Sequence, residues 1–474
     1  MERPQPYNAL YDRYASAEMA AVFSREHRYR TWRRIWVELA AAQKKLGLPI
    51  TDAHLESLEA AADSIDFDRV AEIEHETRHD VVAHLRHFAE LAGNAGSILH
   101  LGATSAFITD NTDAVLLRES LELLERRLGS VLRALAAFAR EHRAVPALAY
   151  THFQPAQLTT VGKRACLWAQ DFVEDLRALR HRLSELRCRG AKGTTGTQAS
   201  YLTLFDGDHN KVLALDRDIA RRLGFPGSYP ITGQTYPRKQ DSQVLAVLAG
   251  VAESCHKFGT DLRLLQGVGE LAEPFGSSQV GSSAMAYKRN PIRAERMCSL
   301  SRRLITDSLN GPLTASLQWL ERSLDDSANR RLVLTDSFMV ADAVLGLAAG
   351  IAAGLTVQGE VVAARVEREL PFMATESLLM KGTVRGGDRQ DLHERIRRYS
   401  MDSYAAVARG EANPLIDEIL ADDAFSLSRE EVDEIMNPAA FIGRSPEQVD
   451  DFLGSVVEPA VAGLDAAATE EPRV

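Results

Sequence analysis

Apolar residues recur along part of the chain at alternating spacings of four and three, which is the pattern of a long amphipathic helix. In the clearest stripe, charged residues fill the other faces, and the apolar positions are Leu117, Leu121, Leu124, Leu128, Val131, Leu135 and Phe138. Asp110, Asn111 and Thr112 stand just before this stripe and are residue types that favour helix N-termini. The sequence therefore predicts a long bundle helix that starts at about Thr112.

Other stretches of the chain also have helical patterns. They cover about 161–187, 241–270 and 291–309, and a further one follows residue 332. No stretch alternates strictly enough to supply a large sheet, and no repeat of fixed period is found. We therefore predict an all-α fold.

The predicted organisation has three regions. A central helical bundle over 106–357 lies between an N-terminal helical domain over 1–105 and a C-terminal helical domain over 358–474. Stripes this long usually need partner helices, so we expect a homo-oligomer whose subunits share helices in one bundle.

The net charge of the chain limits the classes of partner that it is expected to bind. The 474 residues carry a formal net charge of -11, which argues against a nucleic-acid or acidic-membrane partner. Any anionic substrate must therefore find a local basic pocket. The four cysteines show no paired spacing, so neither a zinc ribbon nor a disulfide framework is expected; they are Cys166, Cys188, Cys255 and Cys298.

Targeting and membrane signals are not recognisable. The N-terminus lacks the apolar segment of a secretory signal, and the longest apolar stretch, over 343–357, is shorter than a bilayer span. We expect a protein of the reducing cytoplasm, without a membrane segment.

A Gly/Ser-rich segment from Gly276 to Pro291, GSSQVGSSAMAYKRNP, could carry chemistry. Glycine and serine lower the cost of backbone motion, so the segment can open and close. Either Ser282 or Ser283 would lie near Lys288, whose ammonium could stabilise an alkoxide or a developing carboxylate charge. By itself the composition favours a solvated linker.

Three other segments offer acid, carboxylate-binding and phosphate-binding groups. His152 in YTHFQPAQLTT lies on a proline-punctuated turn and could donate a proton, or it could be purely structural. The small hydroxyls of HLGATS precede a long helix and could bind a carboxylate, or merely cap that helix. Arg322, Ser327 and Arg331 suit a phosphate, or form a solvated face balanced by Asp325 and Asp326.

A zinc site is the rival interpretation. His75 to His79 reads HETRH, which satisfies the HExxH pattern of two imidazoles one helical turn apart. Short patterns of this kind match by chance, and no third ligand motif follows.

Taken together, HLGATS, THFQPAQLTTVGKR, KGTTGTQAS, TGQTYPRK and GSSAMAYKRNP occur in the order seen in the fumarase/aspartase superfamily, and they resemble its adenylosuccinate lyase family. The likeness continues through RHD, LDDSANRR and ELPFMATE. It implies a fumarase/aspartase-like helical homotetramer with a central long-helix bundle, in which three subunits build each active site. It also implies removal of fumarate from succinyl-nucleotides, leaving AMP from adenylosuccinate and AICAR from SAICAR, with no metal and no organic cofactor.

The same resemblance implies roles for individual residues. His152 would be the general acid that protonates the departing nitrogen, Glu295 would orient it, and Ser282 would remove the carbon-bound proton. The succinyl carboxylates would be held by Lys288, Asn290, Thr104, Ser105 and Gln234. The phosphate would be bound by Arg13, Tyr14, Arg322, Ser327 and Arg331, and the base and neighbouring groups by Arg78, His79, Asp80 and Arg296. Because the proton lost is next to a carboxylate, its removal builds a dianion that needs donors already in place.

One position departs from the pattern. The loop usually reads methionine-proline, whereas here Met285 is followed by Ala286, which should leave the open loop more flexible and affect rates only modestly. Three alternatives remain at this point. They are another superfamily lyase acting on argininosuccinate, aspartate or malate, a catalytically silent structural protein on the same scaffold, and the zinc protease.

Overall fold

Long helices dominate the computed structural model, which describes residues 7–276, 279–281, 283–285 and 287–465. In chain order the α-helices are α1 Ala17–Val22, α2 Arg25–Lys45, α3 Asp52–Ala62, α4 Phe67–Thr77, α5 Asp80–Ala92, α6 Ser105–Glu141, α7 Val161–Glu185, α8 Ala199–Leu204, α9 His209–Arg222, α10 Lys239–Gly267, α11 Ile292–Asp307, α12 Asn310–Ser316, α13 Asp325–Gly354, α14 Gly359–Met373, α15 Thr375–Val384, α16 Arg389–Ala408, α17 Leu415–Ala421, α18 Arg429–Ile435, α19 Ser445–Phe452 and α20 Glu458–Val461. Short 3-10 or π segments cover Leu10–Tyr14, Gly93–Ile98, Pro438–Ala440 and Leu453–Val457. The predicted all-α fold is confirmed.

The central bundle is formed by α6, α7, α10, α11 and α13, which pack against one another along their lengths. The apolar stripe of α6 explains this packing, because its residues from Leu117 to Phe138 are buried in the main hydrophobic cluster. The same cluster takes in α2 from the N-terminal part of the chain. A separate cluster, centred on Leu378, Leu392 and Phe425, holds α15 to α18 together.

The predicted start of α6 was wrong. The helix begins at Ser105, and Asp110, Asn111 and Thr112, predicted to cap it, lie inside it with 1% or less of their surface exposed. The physical reason is that the polar groups of the first two have distant partners. Asp110 accepts hydrogen bonds from the guanidinium of Arg238, and Asn111 accepts one from the backbone N–H of Gly190.

Two small antiparallel sheets interrupt the helices. Strands β1 Pro146–Thr151 and β2 Gln154–Thr160 form a hairpin, with an irregularity between Leu148 and Tyr150, and β3 Leu271–Ala272 pairs with β4 Thr356–Val357. Helix α14 packs on both hairpin strands, so the hairpin is joined to the C-terminal part of the chain.

Helix α13 is apolar enough by composition and length to cross a membrane. However, 78% of its most apolar window is buried within the protein, as expected for the core helix of a bundle.

Candidate active site

A cavity of about 670 Å³ lies where α2, α5, α6 and α13 converge. Its wall includes the ends of helices and the segment before α10, which is where polar backbone groups are left without helical partners. Many of the predicted substrate-binding residues line it, namely His79, Asp80, Thr104, Ser105, Gln234, Arg322, Ser327 and Arg331. The structure therefore brings residues from four separate sequence motifs to one place.

The N-terminus of α6 opens into this cavity. Thr104 is the N-cap residue in an extended conformation, and within the described ranges its side chain makes no capping hydrogen bond. The helix that follows is 37 residues long, and its first N–H groups and positive end favour an anion. Ser105 Oγ lies 3.3 Å from Nε2 of His79. This end of the cavity is suited to a carboxylate.

His79 lies at a break between two helices. Helix α4 ends at Arg78, which adopts the left-handed conformation (φ 53°, ψ 31°), and His79 is the N-cap of α5. Its Nδ1 accepts from the backbone N–H of Val82 at 3.5 Å, and its Nε2 faces Ser105. His75 and His79 thus belong to different elements, and the one-turn spacing required by the zinc interpretation does not exist here.

Asp80 and Arg331 pair across the cavity at 3.0 Å. Burial alone would raise the pKa of Asp80, but the hydrogen bonds from Arg331 and the backbone N–H of Val81 outweigh it and lower that pKa. Asp80 is therefore ionised at neutral pH. An incoming anion at Arg331 must compete with this carboxylate.

Arg322 is held by a chain of buried ions. Its Nη1 donates to both oxygens of Asp326, at 2.9 and 3.0 Å, and Arg238 Nε donates to the same carboxylate at 2.5 Å. Arg238 continues to Asp110 through two hydrogen bonds of 3.1 Å. The side chain of Asp326 is fully buried, whereas that of Arg322 is 24% exposed. The guanidinium of Arg322 is thereby fixed before any ligand arrives, which minimises reorganisation on binding.

A second group of buried ionic side chains, centred on Arg330, supports the same wall of the cavity. Arg330 donates to Asp241 at 2.6 Å and to the hydroxyl of Tyr236 at 2.7 Å, and its guanidinium lies 3.1 Å from Asp113. Burial alone would raise the pKa of Asp113, but Arg330 and Arg28 outweigh it and lower that pKa. Asp241 and Asp113 thus balance the charges of Arg330 and Arg28.

The sequence interpretation missed these supporting residues. Arg238 lies in TGQTYPRK, and Asp326 and Arg330 lie in LDDSANRR, so the motifs had singled out the right segments. What the sequence could not reveal is that Asp326 is buried and pairs with a residue far away in the chain. The alternative in which Asp326 belongs to a solvated face was wrong.

Other predicted site residues lie elsewhere in the chain. The described residues that line the cavity do not include Arg13, Tyr14, Arg78, His152, Lys288, Asn290, Glu295 or Arg296. Ser282 and Ala286 lie outside the described residues. Arg296 and Tyr14 do meet, with the guanidinium 5.9 Å from the centre of the tyrosine ring.

The tip of the β1–β2 hairpin carries His152. His152 and Phe153 both have positive φ, 52° and 59°, and Thr151 pairs with Gln154, so these two residues form the turn. Left-handed backbone is costly for residues with a side chain, and such strain concentrates at functional sites. Both residues are exposed, so the imidazole lies outside the core of the chain.

The segment before α11 is anchored at its end. Gln266 Nε2 donates to the carbonyl of Arg289 at 3.1 Å, and the Asn290 side chain donates to the carbonyl of Gly281 at 3.0 Å. The carboxylate of Glu273 accepts from the backbone N–H groups of Arg293 and Ala294 at 2.9 Å. Glu273 thus caps α11, whose first turn presents Glu295 and Arg296.

Comparison with known proteins places this architecture. Residues 12–306 match the family described as "Lyase". The 3-carboxy-cis,cis-muconate lactonizing enzyme from Pseudomonas putida has the same fold, with a TM-score of 0.82 at 23% identity, covering 96% of this chain and all of that one. The family match and the fold together define a helical lyase.

Similarity over nearly the full length of the chain identifies its family more closely. Residues 371–452 match the family described as "Adenylosuccinate lyase C-terminus". The adenylosuccinate lyase of Saccharomyces cerevisiae is 47% identical over 457 residues, covering 95% of each chain, and that of Schizosaccharomyces pombe is 45% identical over 466 residues, covering 98% of this chain and 97% of its own. The chain belongs to the adenylosuccinate lyase family, and it is a carbon–nitrogen lyase. The resemblance drawn from the motifs is confirmed.

Proposed function

We propose that the protein eliminates fumarate from adenylosuccinate to leave AMP, and from SAICAR to leave AICAR, in purine nucleotide biosynthesis. One observation carries the proposal. Arg322, Ser327 and Arg331 line the cavity, and their guanidinium and hydroxyl groups suit a phosphate. The helix end at Thr104 and Ser105 lines it as well and suits a carboxylate. A substrate with a phosphate at one end and a succinyl group at the other matches both.

The reaction needs a base, an acid and fixed donors. In the proposed mechanism Ser282, as an alkoxide, takes the proton from the carbon next to a succinyl carboxylate, the electron pair forms the fumarate double bond, and the carbon–nitrogen bond breaks. His152 gives a proton to the departing nitrogen, with Glu295 as its orienter. The donors for the succinyl carboxylates are Lys288, Asn290, Thr104, Ser105 and Gln234, and those for the base are Arg78, His79, Asp80 and Arg296. No cofactor takes part.

We also propose that subunits share each site in a homotetramer. The support is that the cavity of one chain has the phosphate-binding side chains, whereas His152, Lys288 and Glu295 are not among the described residues that line it. Large apolar side chains on and after α12 are exposed and suit an interface; they are Leu309, Leu313, Leu317, Trp319 and Leu320. The three-region division at about residues 105 and 357, and a cytoplasmic location, belong to the same proposal.

The test of the substrate is direct. Purified protein is mixed with adenylosuccinate, SAICAR or argininosuccinate, and fumarate release is followed by a coupled assay together with the ultraviolet absorbance of the nucleotide. We expect fumarate from both purine substrates and none from argininosuccinate. Fumarate from argininosuccinate alone would contradict the proposed substrate class.

The roles of the acid and base are tested by substitution. His152→Ala and Ser282→Ala should each remove most turnover while the oligomer stays intact in sedimentation, because each deletes a proton-transfer group. The matched control is His393→Ala, at an exposed histidine on α16 in the C-terminal part of the chain. Rates near normal for His152→Ala would contradict its role as the acid.

A further inference from the structure

The strained His152–Phe153 turn is tied to the body of the protein through Tyr150. The aromatic rings of Tyr150 and Phe153 lie 5.6 Å apart, and the Tyr150 hydroxyl donates to the carboxylate of Glu270. A turn with two left-handed non-glycine residues persists only where the surroundings hold it. Tyr150, in the same hairpin, stabilises the turn through its contacts with Phe153 and Glu270.

Glu270 is the centre of a buried ionic group. Its side chain is only 1% exposed and receives Arg365 Nε at 3.0 Å and Arg164 Nη1 at 3.4 Å. Arg365 Nη2 also donates to the Tyr150 hydroxyl at 3.0 Å, and Arg164 donates to the carbonyl of Leu148 in β1. The hairpin is thus held at two points. Arg164 binds its backbone, and Glu270 and Arg365 bind the hydroxyl of Tyr150.

Three parts of the chain meet in this group. Arg164 belongs to α7, Glu270 immediately precedes β3, and Arg365 belongs to α14. A small apolar cluster lies in the same contact, where Leu148 and Leu158 of the hairpin pack against Val366 and Leu370 of α14. The position of the hairpin is therefore set jointly by the bundle and by the C-terminal region.

We propose that Tyr150, Glu270 and Arg365 are positioning residues that set where His152 stands when it protonates the leaving nitrogen. The inference rests on the proposed role of His152. Burial and the Glu270 carboxylate raise the pKa of Tyr150, so its hydroxyl stays protonated and can donate. The group acts on the chemistry only through the hairpin.

The central variant is Tyr150→Phe, which removes the hydroxyl and keeps the ring. We expect kcat to fall roughly 10- to 100-fold, because a misplacement of about 1 Å can cost that much, while KM stays close to the wild-type value. The matched control is Tyr399→Phe. The Tyr399 hydroxyl donates to Asp422, which also pairs with Arg395, but this group lies in the C-terminal helices away from the hairpin. Its kcat should not change.

A double variant separates positioning from general damage. Tyr150→Phe/His152→Ala should be no slower than His152→Ala alone, since a misplaced acid matters only while the acid exists. If Tyr150→Phe slowed the His152→Ala enzyme by the full factor again, or left the wild-type rate unchanged, the positioning role would be wrong. If His152→Ala itself were nearly normal, the proposed acid would be wrong instead.

Arg365 provides a second route to the same answer. Arg365→Met should lower kcat as Tyr150→Phe does, and Arg365→Lys should recover only part of it, because lysine cannot donate from two nitrogens of one fork. Thermal melting and sedimentation of every variant check that the oligomer is folded. Equal rates for Arg365→Met and the wild type would overturn the inference even if Tyr150→Phe failed to fold.

Discussion

At the residue scale, ion pairs with Asp326 and Asp80 hold Arg322 and Arg331 in the wall of the cavity. Arg322 and Arg331 could be singled out because their spacing suits a phosphate. The ion pairs around them could not, since Asp326 looks like an ordinary surface carboxylate until the fold buries it against the distant Arg238. Asp80, in turn, reaches Arg331 from another part of the chain. Pairing across long stretches of chain leaves no local signal.

Removing the charge of Asp326 tests its part in the cavity wall. Asp326→Asn should destabilise the protein by about 3 kcal/mol, near the lower end of the usual 3–5 kcal/mol for breaking a buried pair, because Arg238 keeps Asp110 as a partner. KM should rise as Arg322 loses its fixed geometry. Urea denaturation and steady-state kinetics measure both effects, and Asp325→Asn, at the exposed neighbour, is the control that should change little.

A buried carboxyl in the bundle predicts how stability depends on pH. Burial, together with Asp171, Glu253 and Glu174, raises the pKa of Asp175 to about 7, and within the described chain its Oδ2 has no hydrogen-bond partner. The folded state therefore binds this proton more tightly than the unfolded state. Its contribution to stability is present below about pH 4 and is lost as the pH rises to about 7.

Asp175→Asn should remove this dependence. The variant should unfold at a higher temperature than the wild type at pH 8, by an amount worth at most about 4 kcal/mol, and the difference should shrink towards pH 4. Thermal melts across this pH range measure it. A difference that grew towards low pH would mean that the carboxyl is stabilised in its charged form, contrary to the expectation.

At the element scale, helices were more predictable than the hairpin. Helix α7 was expected over 161–187 and is found at Val161–Glu185, because its pattern of apolar positions is local. The hairpin was foreseen only as a turn. Its tip is His152–Phe153 in left-handed conformation, whereas the usual signal for such a turn is Asn-Gly or Asp-Gly.

The contact between α6 and α7 depends on a glycine. A Cβ at Gly162 would lie 2.3 Å from the carbonyl oxygen of Ala139 and 2.6 Å from the Cα of Arg143, and backbone atoms cannot move aside. Gly162→Ala should cost about 1–3 kcal/mol despite the better helix propensity of alanine. Gly267→Ala, where a Cβ would meet open space, should be neutral or slightly stabilising. Equal denaturation midpoints for the two variants would refute the steric argument.

At the scale of the whole molecule, motif order identified the family but not which motifs meet within one subunit. The cavity unites four motifs of one chain, and the hairpin with His152 stands apart from it. A helix stripe indicates that partner helices are needed, yet it carries no information on which elements of the chain lie together. That information lies in the relative placement of whole elements.

Subunit mixing tests the shared site. His152→Ala and Arg331→Met should each be nearly inactive at low substrate concentration. Mixing and reassembling them should restore a fraction of the activity, because some sites then combine an intact cavity with an intact hairpin from another subunit. The control is each variant reassembled with itself. A mixture no more active than its components would place both residues of one site in the same chain.

The His152–Phe153 turn is also a place where selection for stability and selection for function disagree. Two left-handed residues with side chains cost about 1–2 kcal/mol each relative to a turn with glycine. A redesign guided by backbone geometry alone would write Asn-Gly here, and the melting temperature should rise. Under the proposed role of His152, turnover would fall with the loss of the imidazole, so at this turn the most foldable sequence and the active one would be different sequences.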